Sequence, residues 1–223
     1  MNFTIQQTEG IQLTGSMIGN TINVDYTALL YEQPASNNAF LSLWQNTQVP
    51  FGRPGDTTKN ITGNQRTGSQ SFNISVTEVP YIVGWGAGSV PNSSDPDYNS
   101  IGASVTFTPG VEDKAGIITG VSQQCQIQPA LVGTNSIVVQ FITLNGHNPQ
   151  QSKDWIGLWL GSTLDFGGNF LQQWNVTSSV SQDSQGLNTN QQVMVGTTYT
   201  LAYATGPRVS DIVARCTFQT SGY

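Results

Sequence analysis

The sequence predicts an all-β protein made of two antiparallel β-sandwiches in tandem, and three observations predict it. First, one segment recurs: Phe40-Leu-Ser-Leu-Trp44 stands 115 residues before Trp155-Ile-Gly-Leu-Trp159, and Phe51 stands the same distance before Phe166. Second, short runs of alternating apolar and polar residues are separated by Gly, Pro, Asn and Asp, the pattern of half-buried strands joined by turns. Third, only 9% of residues are charged, against a typical quarter, which leaves little material for the solvent faces of helices.

The first copy is expected to span residues 1–110, with strands at 3–13, 21–30, 39–45, 71–76, 81–86 and 101–108. A turn-rich stretch at 50–68 interrupts them. The second copy is expected over 117–223, with strands at 120–127, 136–144, 155–160, 191–195, 198–204 and 212–219. Residues 111–116, charged and turn-forming, read as the linker. At 223 residues each copy is long enough to bury a core of its own. Within Trp155–Trp159 the period of two puts Ile156 and Leu158 on one face and the tryptophans on the other. Ile156 and Leu158, like Leu41 and Leu43, are expected in the core. The alternative is that Trp155 fills the core, as a central-strand Trp does in immunoglobulin domains.

The motif Asp154-Trp155-Ile156-Gly157-Leu158-Trp159 resembles the corresponding strand of SKICH domains and of the fibronectin-like N-terminal domain of purple acid phosphatases. Residues 198–203 followed by 212–218 resemble the closing strand pair of SKICH domains. The resemblance covers three strands of the second copy, and Ala39-Phe40 replaces Asp-Trp in the first. It implies two tandem Ig-like antiparallel β-sandwich domains and, by analogy with modules used for docking, a non-enzymatic role.

Composition excludes several function classes. Net charge is −6 with seven Lys and Arg, so no basic patch exists to hold nucleic acid or an anionic membrane. No apolar run reaches transmembrane length, and residues 1–7 alternate rather than form a signal peptide. A neutral polar surface nonetheless suits a secreted or cell-surface protein, and one that assembles into homo-oligomers. Five Asn-x-Ser/Thr sequons, at Asn2, Asn60, Asn73, Asn92 and Asn175, are expected by chance in so Asn-rich a chain. Cys125 and Cys216 fall on strands that could neighbour each other, so a disulfide and a pair of buried thiols are both open.

Catalytic chemistry is not expected. The single histidine, His147, sits in a Gly-containing polar turn and reads as an exposed loop residue. The 13 carboxylates form no paired motif for glycoside hydrolysis.

The loop before the last strand of the first copy is seven residues longer than its counterpart, because the offset between copies falls from 118 at Tyr81/Tyr199 to 111 at Phe107/Phe218. Asp95, Asp97 and Asn99, with Asn92, supply oxygen donors there that a Ca²⁺ ion would favour, although an Asx-stabilised turn accounts for them equally. Trp174, Tyr98, Phe51, Phe166 and Asn169 are the expected ligand-binding residues. Aromatic rings beside planar amides can stack on the apolar face of a sugar while the amides take its hydroxyls.

The expected function is a lectin-like or adhesive protein that recognises neutral glycans or another cell-surface ligand, with duplication supplying bivalency. A structural or self-assembling surface or inclusion protein is the alternative, and a cell-engaging toxin component a third.

Overall fold

A computed structural model describes residues 1–75, 78–90 and 95–222. Val76, at the end of one expected strand, and Asn92 of the long loop lie outside them. The chain is all-β with antiparallel sheets, and it divides into two compact units. One unit comprises residues 1–10, 125–143 and the chain from His147 onward; the other comprises Ile11–Gln124 and Leu144–Gly146.

In chain order the strands are β1 (Asn2–Gly10), β2 (Gln12–Ile18), β3 (Thr21–Thr27), β4 (Phe40–Trp44), β5 (Thr57–Asn60), β6 (Thr67–Asn73), β7 (Tyr81–Gly86), β8 (Ile101–Phe107), β9 (Ile117–Thr119), β10 (Val121–Gln124), β11 (Gln126–Val132), β12 (Ser136–Ile142), β13 (Trp155–Leu160), β14 (Gln172–Asn175), β15 (Gln182–Asn188), β16 (Thr198–Ala204) and β17 (Ile212–Ser221). A single helical turn, α1 (Pro149–Ser152), precedes β13.

The unit holding Ile11–Gln124, here unit 2, packs the sheet β10-β8-β7-β4-β5 on the sheet β6-β3-β2-β9. The other, unit 1, packs β1-β17-β16-β13-β14 on β11-β12-β15. Leaving β9 aside, the two share one order: three strands (β2, β3, β6 or β11, β12, β15) face five. This is the A-B-E against C′-C-F-G order of immunoglobulin-like sandwiches, with a further strand on the far side of G. The inner faces follow the period of two. In β3, Ile22, Val24 and Tyr26 are buried while Asn23 and Asp25 face water. Tyr26 meets Trp85 of the facing sheet at a ring separation of 5.0 Å, and in unit 1 Phe141 meets Tyr203 at 5.2 Å.

The opening strand of each copy differs from expectation. Residues 3–13 are not one strand of the first copy. β1 pairs with β17 in unit 1, and β2 pairs with β3 in unit 2. The expected strand 120–127 divides in the same way: β10 pairs with β8 in unit 2, and β11 with β12 in unit 1. The compact units therefore do not coincide with 1–110 and 117–223, since residues 1–10 complete a sheet of the second copy and 121–124 a sheet of the first. Gly120 lets the chain step from one sheet of unit 2 to the other between β9 and β10. Its N–H donates to the Gly15 carbonyl at 2.9 Å, and a Cβ there would strike Val105 and Phe107.

Two further expectations fail. Residues 191–195 are not a strand; the pairing falls to β15, whose Gln, Asp, Ser and Gly content hides it and in which only Leu187 is fully buried. The turn-rich stretch 50–68 contains β5 and the start of β6. The cysteines form no disulfide and both are buried, and burial pushes the Cys216 thiol up to about 12.

Strands β4, β7 and β13 are buried on both faces. Ile156 and Leu158 face the core of unit 1, as expected, and pair with Tyr203 and Leu201. Trp155 and Trp159 lie on the opposite face and are buried there by Phe170, with ring separations of 5.8 and 5.7 Å. In unit 2 the same outer face carries Phe40, Trp44, Ile82 and Ile101, closed over by Val49 and Leu144 with Phe51 and Tyr98 against them. Small residues beneath the rings permit this. A Cβ on Gly157 would lie 2.5 Å from Trp159 and 2.8 Å from Trp155, and one on Gly84 would lie 3.0 Å from Trp44.

Gly157→Ala should therefore force the indoles off their seat and cost about 1–3 kcal/mol in urea unfolding. Gly186→Ala on β15, where nothing lies within 4 Å of the added methyl, should stay within about 0.5 kcal/mol of the parent.

Candidate functional site

Of the expected site residues, all but Asn92 lie among the described residues. Tyr98 and Phe51 are brought together, since the Gly52 N–H donates to the Tyr98 carbonyl at 3.1 Å. Both rings are half-buried and serve the outer layer. Tyr98 meets Phe40 and Trp44 edge-on at 5.5 and 6.2 Å, and its hydroxyl lies 3.1 Å from Thr58 Oγ1. Tyr98 is thus packing rather than a free stacking platform.

Trp174 lies in strand β14, not in a loop. It is half-buried, and its indole N–H donates to the Asn188 carbonyl at 2.9 Å. Gln172 beside it donates to the same carbonyl and accepts from the Asn190 N–H.

Phe166 and Asn169 fall in the turn after β13. The Asn169 amide and the Gly167 N–H both donate to the Asp165 carboxylate, at 2.5 and 2.7 Å, and these bonds hold that carboxyl below its ordinary range.

Asp97 is buried. Its Oδ1 accepts from the backbone N–H and the side-chain amide of Asn99, an Asx turn, while Asp95 is exposed. Among the described residues no group of three or more His, Cys, Asp or Glu side chains is placed to hold a metal ion.

His147 is a correction: it is 2% exposed rather than a surface loop residue. The loop folds back because α1, capped by the Asn148 side chain, turns the chain into β13. His147 Nε2 lies 2.7 Å from Asp154 Oδ2, and the Tyr203 hydroxyl donates to the same oxygen at 2.7 Å. Burial is the largest influence on Asp154 and raises its pKa against the lowering pull of His147 and Tyr203. Burial and the neighbouring Asp154 charge raise Tyr203 well above its usual value. The trio has the residue types of a proton relay; all three side chains are sealed from solvent, and their bonds tie the 147–153 turn to β16. The first copy has Glu32, Ala39 and Trp85 at the matching positions.

The open site lies elsewhere. On the outer face of the five-stranded sheet of unit 2 is a pocket of about 320 Å³. Val49, Ile82 and Leu144 form an apolar floor, and Thr47, Gln48, Ser104, Thr106, Ser122, Gln123 and Asn145 supply hydroxyls and amides; Val121 completes the lining. Among the described residues no charged side chain lines it.

In unit 1 the register puts Arg215 against Glu9 and Ala202, as it puts Ser104 against Gln123 and Gly84 in unit 2. The Arg215 guanidinium is buried. Its Nε donates to Glu9 Oε2 at 2.6 Å, Nη2 reaches Gln7 Oε1 at 3.4 Å and Nη1 reaches the Ser162 carbonyl at 3.5 Å. Ser162 is the counterpart of Thr47 at the 115-residue offset. Arg215 therefore spans in unit 1 the gap that Ser104 is too short to fill in unit 2.

Sequence reasoning named none of these residues. The available signal was an arginine in an apolar strand, at the position where the first copy carries serine.

No protein-family model matches the chain, and no curated protein matches its sequence. Among solved structures it is similar to the human OSCAR ligand-binding domain, at 9% identity over 91% of this chain and 93% of that one, with a TM-score of 0.22. The immunoglobulin-like assignment rests on the strand order and not on that likeness.

The raised pKa of Asp154 has a defined sign. The folded protein holds that proton more tightly than the unfolded chain, so the stabilisation is fully present below the ordinary value of 3.8 and is lost as pH rises through the raised one. The stability of the parent minus that of Asp154→Asn, from urea unfolding at pH values from 3.8 to neutrality, should fall with rising pH. Tyr203→Phe should cost about 1–3 kcal/mol by removing one of the two hydrogen-bond partners of Asp154 Oδ2.

Proposed function

We propose that this chain is a non-catalytic binding protein and that the unit 2 pocket takes a neutral, hydroxyl-rich ligand, a glycan. The observation that carries this is the lining: hydroxyls and amides around an apolar floor, with no charge. A charged ligand would lose its hydration there without finding a counter-charge. A sugar ring offers what the lining matches, namely hydroxyls for Gln48, Ser104, Thr106, Gln123 and Asn145, and C–H faces for Val49, Ile82 and Leu144.

The non-catalytic reading is supported by the one histidine of the chain, which is sealed behind its bonds to Asp154. Asp97 Oδ1 is engaged in turn bonds to Asn99, and the reading invokes no metal. The aromatic residues Tyr98 and Phe51 act here as the wall that fixes Trp44 and Phe40 beneath the pocket floor. Trp174, a half-buried ring in unit 1 whose N–H is bonded to the Asn188 carbonyl, takes no part in this site.

A second reading, self-assembly through unit 1, is favoured by exposed apolar side chains at Leu131, Leu160, Met194 and Val195, which are 58–66% exposed.

A glycan array followed by calorimetry on the hits tests both. The glycan reading expects binding that is lost in Ser104→Arg/Gln123→Glu and kept in Trp174→Ala. Absence of binding to every neutral glycan, with oligomers that grow with concentration in sedimentation, would favour assembly instead.

A further inference from the structure

We infer that unit 1 contains the same pocket in closed form, plugged by the Arg215–Glu9 pair, so that the duplicated chain presents one open binding site rather than two. The inference reverses the bivalency that duplication suggests.

The strand positions of the two outer faces correspond, although unit 1 has no counterpart of Leu144 and Asn145. Tyr81-Ile82 aligns with Tyr199-Thr200, Ser104 with Arg215 and Thr106 with Thr217. In register, Thr106 lies beside Ile82 and Val121, and Thr217 lies beside Thr200 and Gln7. In unit 1 every one of these places is occupied. The Thr200 hydroxyl donates to the Gly161 carbonyl at 2.8 Å and lies 3.1 Å from Thr217 Oγ1. Arg215 covers the rest, from Glu9 on β1 to Ser162 in the loop after β13.

In unit 2 the corresponding serine leaves Thr106 half-exposed, whereas Thr217 is only 2% exposed. Arginine can be buried there because Glu9 neutralises it and Gln7 and Ser162 take further N–H groups. Gln123 and Ser104, both uncharged, need no such filling. The strands and the loop after β13 that frame the plug are counterparts of those framing the unit 2 pocket, while the counterparts of Leu144 and Asn145, Leu29 and Leu30, lie outside unit 1; removing the plug should expose a cavity of the same ligand class on the strand and loop side. That last step rests on the proposed glycan reading; the closure itself does not.

Cysteine labelling tests the closure without any ligand. A small methanethiosulfonate reagent should modify Thr106→Cys readily and Thr217→Cys slowly. The parent protein, whose two thiols are buried, sets the zero. In the Arg215→Ser/Glu9→Gln background, chosen so that no lone charge is left buried, Thr217→Cys should gain about tenfold in rate. That background without Thr217→Cys should stay unlabelled, because inward-facing Cys216 next door reports unfolding.

The reverse arm moves the plug into unit 2, where Ser104→Arg/Gln123→Glu should slow labelling of Thr106→Cys by about the same factor. Equal rates at Thr106→Cys and Thr217→Cys with Arg215 in place would overturn the inference. So would an unchanged Thr106→Cys rate after the plug is transplanted.

For any saccharide that binds, calorimetry should give one ligand per parent chain and two per Arg215→Ser/Glu9→Gln chain. Two per parent chain would also overturn the inference. The expected labelling pattern with no saccharide bound would sink the ligand class and leave the closure standing.

Discussion

The constraint on which the rest depends is that the central strands of each five-stranded sheet are buried on both faces. A sheet in a simple sandwich needs one apolar face, and its strands alternate. Here β4 and β13 carry two apolar faces, an aliphatic one inward and an aromatic one outward. The outer rings cannot be left in water, so loops must come back over the sheet. In unit 2 those loops bring Val49, Phe51 and Tyr98. In unit 1 the turn after β13 brings Phe170. The long loops are therefore not free appendages, because their apolar residues form a second, smaller core whose edge defines the pocket.

The same constraint explains where the pocket lies. The aromatic layer rests on glycines at Gly84 and Gly157, which keep the sheet low enough for the rings to lie close. Ser104 stands beside Gly84 in the register, and Arg215 stands at the corresponding place beside Ala202. Whatever stands at the β8 or β17 position must fill the remainder. Arg215 does so in unit 1, and Ser104 does not in unit 2. The strand completing each sheet beyond β8 or β17 supplies the partner, Gln123 or Glu9. Each of these strands is the opening piece of the other copy, so the wall of each site is encoded far from the strand it pairs with.

Much of this was legible in the sequence. The repeat, the strand character and the inward placement of Ile156 and Leu158 follow from period and offset. The division of the opening strands was not legible, because the apolar residues keep the odd positions on both sides of the break, Phe3 and Ile5 before it with Ile11 and Leu13 after it, and Val121 before it with Cys125 and Ile127 after it. β15 was missed for a related reason: an edge strand with one buried side chain carries almost no apolar signal. His147 was misread because a Gly-containing turn usually faces water, and its burial depends on Asp154 and Tyr203 from other elements. Aromatic residues drew attention as binding groups, yet Tyr98 and Phe51 are consumed in covering the sheet.

The difference between the two sites is also hard to cross one substitution at a time. A buried arginine is tolerable only with its carboxylate, and breaking such a pair by removing one partner costs about 3–5 kcal/mol. Converting Ser104 to arginine alone would bury a charge against Gln123. Converting Arg215 to serine alone would leave Glu9 facing a half-dry cavity. An open and a closed site are thus two-residue states, each stable within its own unit. A duplicated protein that reaches this condition is held there by the cost of either intermediate. The asymmetry between the units is then kept by electrostatics even where the strands around the site have kept the same register.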